Sequence, residues 1–154
     1  MDTVTTRRAR ASDAGRLAEI AAASYLPYVE RLGGTRPPPM VADYAAAVAE
    51  DLVWVAEVAG DRAGFVVVVD QPTTTLLKNV AVHPDWQGRG IGRLLIAIAE
   101  ERARATGRGV VELYTNVVMV ENIRLYARLG YAEVGRRTEH GFTRVFFEKV
   151  VRLA

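Results

Sequence analysis

The segment Gln87-Gly88-Arg89-Gly90-Ile91-Gly92 lies between a run of β-formers that ends at Val82 and the strongest helical pattern in the chain. Residues 75–82 read as a strand, stopped by His83-Pro84 because a residue before proline is pushed towards extended backbone. Ile91, Leu94, Leu95, Ile98 and Ala99 recur at helical spacing, which predicts an amphipathic helix to about Ala105, stopped by Gly107 and Gly109. A strand–turn–helix unit in mid-chain therefore anchors the fold. The first turn of a helix carries N–H groups without intrahelical acceptors, and the macrodipole makes that end partly positive. Together they attract an anion. The glycines allow close backbone approach, and Arg89 and Arg93 add cationic donors.

A Gly-rich connector that binds nothing has the same composition, so the turn alone leaves both readings open. Two other phosphate-loop patterns fail in detail. Gly92-Arg93-Leu94 stands where a Walker loop has Gly-Lys-Ser/Thr, and Gly92 comes one residue too early for the Rossmann fingerprint.

The remaining elements follow from pattern. Residues 4–8 read as a first strand, and Ser12-Asp13 as a helix N-cap. Leu17, Ile20, Ala21 and Ser24 extend a helix over residues 13–26. Gly33-Gly34 and Pro37-Pro38-Pro39 read as a loop, and the Ala-rich residues 41–49 as a second helix. Residues 52–58 and 63–69 form a hairpin through the turn Ala59-Gly60-Asp61-Arg62. Residues 110–115 read as a strand, 121–129 as a helix stopped by Gly130, and 131–137 with 143–151 as a last antiparallel pair joined through His140-Gly141. With neither a repeat nor a linker, residues 1–154 read as one mixed α/β domain.

Composition removes several classes of function. The chain has 154 residues, half apolar and a quarter charged, which is enough to bury a core without disulfides or metal. There is no cysteine, so disulfides, Cys–zinc sites and thiol catalysis are excluded; this suits a cytoplasmic protein. His83 and His140 are not at metal-ligand spacing, and no metal is expected. A net charge of +2 without a basic stripe argues against nucleic acid as partner. The apolar runs at 66–69 and 94–99 are far short of the about 18 residues that span a bilayer. The start, Met1-Asp2-Thr3 to Arg7-Arg8, does not look like a signal peptide.

With these elements in place the sequence resembles the GNAT superfamily of N-acetyltransferases. Gln87, Gly90 and Gly92 match the family's Gln/Arg-x-x-Gly-x-Gly/Ala between its fourth strand and third helix. Residues 79–84 look like the fourth strand, and Leu125-Tyr126-Ala127-Arg128-Leu129-Gly130-Tyr131 looks like the family's "LY…LGF" segment. The resemblance implies the GNAT fold, of α/β (α+β) class. That is a central mixed, mostly antiparallel, twisted sheet of about seven strands flanked by about four helices, with strands four and five splayed. It implies acetyl-coenzyme A as co-substrate. Backbone groups of Val80, Ala81 and Val82 would hold the pantetheine arm and polarise the thioester. Gln87, Gly88, Arg89, Gly90, Ile91, Gly92 and Arg93 would hold the pyrophosphate. Tyr126 would be the general acid that protonates the leaving thiolate, since a phenol can donate to developing negative charge; read without the other segments, it is better taken as a packing residue on its helix. Many members carry an Asn seven residues before this Tyr. Here that position is Met119, and Asn122, on the same helix face as Tyr126, could replace it.

The acceptor side is less defined. The expected acceptor is a primary amine of a small molecule, peptide or protein. In the family the first two helices and their loop cover the acceptor, which draws attention to Tyr25 and Tyr28, while residues 25–44 read like a stretch of bacterial members of undefined substrate. Glu112 and Tyr114 alternate onto one face of the fifth strand, with Asn116 at its end. Glu57, Asp70 and Lys78 are further candidates. Dimers are common in this family, so the resemblance points to a homodimer as the assembly. The competing reading is a non-catalytic coenzyme A-binding sensor on the same fold.

Overall fold

The computed structural model describes residues 3–152. Met1 and Asp2, which open the segment read as lacking a leader, lie outside them, as do Leu153 and Ala154. The strands form a seven-stranded mixed sheet in the order β1-β2-β3-β4-β5-β7-β6. The chain packs as two compact units, one running to Val68 and including Asn79–Ile98, the other comprising Val69–Lys78 and the chain from Ala99 onward.

In the first unit β1 (Val4–Arg8) pairs antiparallel with β2 (Val53–Val58), which pairs antiparallel with β3 (Asp61–Asp70). The β2–β3 turn is only Ala59-Gly60, both at positive φ (51° and 82°), the geometry that suits a two-residue hairpin. Asp61 and Arg62, expected in the turn, therefore belong to the strand. Ala63 to Val68 are all buried, which explains their unbroken apolar run. Helix α1 (Ala14–Arg31) buries Leu17, Ile20, Ala21 and Tyr25. It runs past the expected end at residue 26, through Pro27, whose position is exposed so that the ring meets solvent. The helix stops where Gly33 and Gly34 turn left-handed (φ 66° and 92°), and Gly34 N–H closes on Val29 O at 2.9 Å.

The expected second helix over residues 41–49 is two pieces. Prolines start α2 (Pro38–Val41), Ala42 and Asp43 are extended, and the Asp43 carboxylate accepts from Ala46 N–H at 3.0 Å to start α3 (Tyr44–Ala49). Counting these two short pieces, the described residues hold five α-helices, in keeping with the expected sheet flanked by about four. The start of α1 is held by Asp13, which is 2% exposed. It accepts from Arg7 at 2.8 and 3.1 Å, from Arg62 at 3.1 Å and from Arg10 N–H at 2.7 Å. The Arg7 guanidinium, with these other donors, holds its carboxyl far below the usual carboxylate range against the opposing effect of burial.

In the second unit the first residues of β4 (Thr75–Val82) pair in parallel with β5 (Val110–Asn116), from Thr75↔Val111 to Leu77↔Leu113, and the register ends there, as expected of splayed strands. Strand β7 (Phe142–Val150) pairs antiparallel with β5 and with the edge strand β6 (Ala132–Glu139). His140-Gly141 is the hairpin tip, both at positive φ. The edge strand is polar and bulged at Glu133/Gly135, which disfavours pairing with another chain. Helix α5 (Val120–Arg128) contributes Tyr126 to a core with Val111, Leu113, Val145 and Phe147. Helix α4 (Ile91–Ala105) begins in the first unit and ends in the second. Among the described residues no helix is long and apolar enough to cross a membrane.

Candidate functional site

The first unit carries the glycine turn. His83 Nδ1 accepts from Asp85 N–H at 3.2 Å and starts a single 3-10 turn over Pro84–Trp86. Gln87 then returns to the strand, its Nε2 donating to Val82 O at 2.9 Å. Gly88 and Gly90 both sit in the left-handed region (φ 81° and 80°), where a side chain is strained. Leu94 N–H donates to Gly90 O at 3.1 Å, so Gly90 is the residue from which the helix starts. The N–H groups of Ile91, Gly92 and Arg93 therefore have no acceptor one turn back, and the turn presents them at the positive end of α4. Arg89 stacks on Trp86, its guanidinium 4.9 Å from the ring centroid. Gly92 is different: its φ is ordinary, and a Cβ there would meet only Val82 Cγ2 at 3.8 Å.

The adjoining half of β4 is held tightly. Val80 O accepts from the Tyr25 hydroxyl at 3.1 Å, and Tyr25 is buried. Tyr25, expected on the acceptor side, thus braces the strand read as the pantetheine rail. Tyr28 lies beside it with ring centroids 6.3 Å apart, and Arg31 covers the Tyr28 ring at 4.9 Å. Gly64 lets β3 approach, since a Cβ there would fall 2.7 Å from Ala81 O.

The second unit holds the other candidates. Tyr126 is 4% exposed, with Tyr131 and Phe147 at ring-centroid distances of 6.0 and 5.9 Å. Met119 is buried and its sulfur accepts from the Thr115 hydroxyl at 3.5 Å and from Asn122 Nδ2 at 3.7 Å. The Asn116 side chain builds the turn after β5, accepting from Val118 N–H at 3.1 Å. Glu57 is bonded to Arg7 in the first unit, Asp70 forms a two-point ion pair with Arg102 at 2.6 and 3.1 Å, and Lys78 is exposed.

Tyr114 opens into a cavity of about 470 Å³ on the β5–β7–β6 face, together with Leu76, Glu112, Phe146 and Glu148. Glu112 and Glu148 are direct cross-strand partners, as are Tyr114 and Phe146. Like charges placed opposite each other cost stability. Arg137 lies over Phe146 at 4.1 Å and Arg144 over Tyr114 at 4.9 Å. Sequence reasoning missed Phe146 and Glu148. Their signal was the hairpin tip at His140-Gly141, which fixes the β6–β7 register, but not the pairing of β7 with β5.

The sequence profile of the acetyltransferase (GNAT) domain family matches residues 49–133, more than half of the chain. An uncharacterised N-acetyltransferase of Methanocaldococcus jannaschii is 37% identical over 91 residues, covering 54% of this chain and 40% of the relative. The streptothricin acetyltransferase of Streptomyces lavendulae is 36% identical over 78 residues, covering 49% and 41%. The matched segment thus spans less than half the length of these relatives. Among solved structures, the ribosomal-protein-S18-alanine N-acetyltransferase of Escherichia coli superposes with a TM-score of 0.79 at 19% identity over 99% of this chain and 96% of that one. The yncA protein of Salmonella typhimurium, solved with its cofactor acetyl-CoA, has a TM-score of 0.71 at 23% identity over 99% and 96%. The fold is shared with both, and the segment from residue 49 to residue 133, which contains the glycine turn and Tyr126, places this chain in the acetyltransferase (GNAT) domain family.

Proposed function

We propose that this chain, acting as a single acetyltransferase domain, moves the acetyl group of acetyl-coenzyme A to a primary amine of a small molecule or peptide. The observation that carries the reading is the turn geometry. Gly88 and Gly90 are left-handed, and three helix N-terminal N–H groups follow Gly90. Such a cradle fits a pyrophosphate, with Arg89 and Arg93 close in sequence to add charge. The β4 backbone at Val80, Ala81 and Val82 would carry the pantetheine arm. Asn122, whose amide rests on the Met119 sulfur, would contact the cofactor at the first turn of α5.

In the reaction the neutral amine attacks the thioester carbonyl, the C–S bond breaks, and Tyr126 gives its proton to the departing sulfur. The amine loses its own proton to a base or to water. The name of the Streptomyces relative supports a small-molecule acceptor, and that of the Escherichia coli structure a peptide one. A cytoplasmic location fits the absence of cysteine, and a homodimer is the proposed assembly, which size measurement in solution would check.

The test is release of free thiol from acetyl-coenzyme A with a panel of amines that includes streptothricin and a peptide with N-terminal alanine. Amine-dependent release, lowered in Tyr126→Phe, supports the reading. One observation favours the sensor alternative: Tyr126 is enclosed by aromatic rings, as a packing residue would be. Coenzyme A binding with no release on any amine, and no effect of Tyr126→Phe, would establish the sensor instead.

A further inference from the structure

We infer that Tyr131 is a positioning residue for Tyr126, locked in place by Glu100 and Lys149; this rests on the reading of Tyr126 as general acid. The two tyrosines are joined twice. Tyr131 N–H donates to Tyr126 O at 3.0 Å, in the turn where Gly130 takes φ 92°. The Tyr131 ring then folds back edge-on to the Tyr126 ring, with centroids 6.0 Å apart at 65°. Phe147, tilted at 53°, supports the Tyr126 ring as well.

Packing alone would be satisfied by phenylalanine at residue 131. Instead the hydroxyl is carried into the interior and donates to Glu100 Oε2 at 3.1 Å. Lys149 Nζ holds the other oxygen of that carboxylate at 3.1 Å and lies 5.5 Å from the Tyr131 ring centroid. Arg104 stands 4.0 Å from the same oxygen. The Tyr131 ring cannot turn without leaving a largely buried carboxylate short of a donor, which is costly. A ring fixed in this way limits the rotation of the ring it touches. Tyr126 would thereby be held in one orientation for proton donation, and small errors in such geometry are expensive in rate.

The experiment is a double-mutant cycle read as kcat and KM for acetyl-coenzyme A. It uses thiol release with the amine of the panel that turns over fastest, or with water as acceptor if none does. Tyr131→Leu should lower kcat about 10-fold and leave KM within about 2-fold. Tyr131→Phe and Glu100→Gln, which keep the ring and the shape, should each lower kcat by about 3-fold, and they carry the test if Tyr131→Leu does not fold. In a Tyr126→Phe background all three effects should disappear, since there is no proton left to position. Equal losses in both backgrounds, or a change confined to KM, would show a merely structural role and overturn the inference. A Tyr126→Phe variant with unchanged kcat would locate the failure in the general-acid reading, and the inference would fall with it.

Discussion

The glycine turn of the first unit and the tyrosine cluster of the second are assembled from opposite materials. The turn is exposed and made of backbone, with two left-handed glycines and the unpaired N–H groups that follow them. The cluster is buried and made of side chains, with Tyr126 against Tyr131 and Phe147. Each unit also has a carboxylate node, Asp13 among arginines in one and Glu100 between Lys149 and Tyr131 in the other. The contrast teaches where substitutions act. Backbone sites answer to φ and to the presence of a Cβ, and tolerate side-chain change nearby. Side-chain sites answer to single atoms, such as one phenol oxygen.

Four substitutions would break or sharpen that contrast. Asp13→Ala should be the most severe for stability, costing about 2–3 kcal/mol because it takes the shared acceptor from the half-buried Arg7 and Arg62 and from Arg10 N–H, measurable by chemical denaturation. Asp13 also sets a pH dependence. Its carboxyl is lowered in the folded state, so its contribution is complete above the ordinary carboxylate range and is lost as pH falls through that range towards the lower folded value. The melting temperature should decline below about pH 5, and less steeply in Asp13→Ala.

Tyr126→Phe should lower kcat by about 100-fold while the melting temperature changes little, since only one oxygen is removed. Gly90→Ala should raise the KM for acetyl-coenzyme A by about 10-fold and cost about 1–2 kcal/mol, because alanine resists φ 80°. Gly92→Ala should be nearly silent, within about 2-fold in KM, since its φ is ordinary and its nearest neighbour lies at 3.8 Å. If Gly92→Ala were as damaging as Gly90→Ala, φ would not be what distinguishes these glycines.

The two regions also differ in how far the sequence announces them. Strand β4 and helix α4 are bounded by residues with local effects, His83-Pro84 on one side and the Gly88–Gly90 pair on the other, so their limits and the turn between them were legible. Helix α1 was read only to residue 26, where its marked apolar spacing ends, and it runs on through Pro27, which is tolerated because its position is exposed. The break at Ala42-Asp43 was hidden because the Asp43 cap competes with an Ala-rich helical pattern. The cavity was legible only in part. Glu112 and Tyr114 alternate visibly along β5, but Phe146 and Glu148 join them through a register set more than 30 residues downstream. The Glu100–Tyr131–Lys149 contact likewise spans helix, loop and strand, with no local spacing to mark it.

The claim on which the account depends is that coenzyme A rests its pyrophosphate on residues 87–93. A crystal structure of the protein with coenzyme A tests it directly. The account predicts pyrophosphate oxygens at about 3 Å from backbone N–H groups of that turn, among them those of Ile91, Gly92 and Arg93. Coenzyme A bound with its pyrophosphate away from the turn, or absent at saturating concentration, would contradict it.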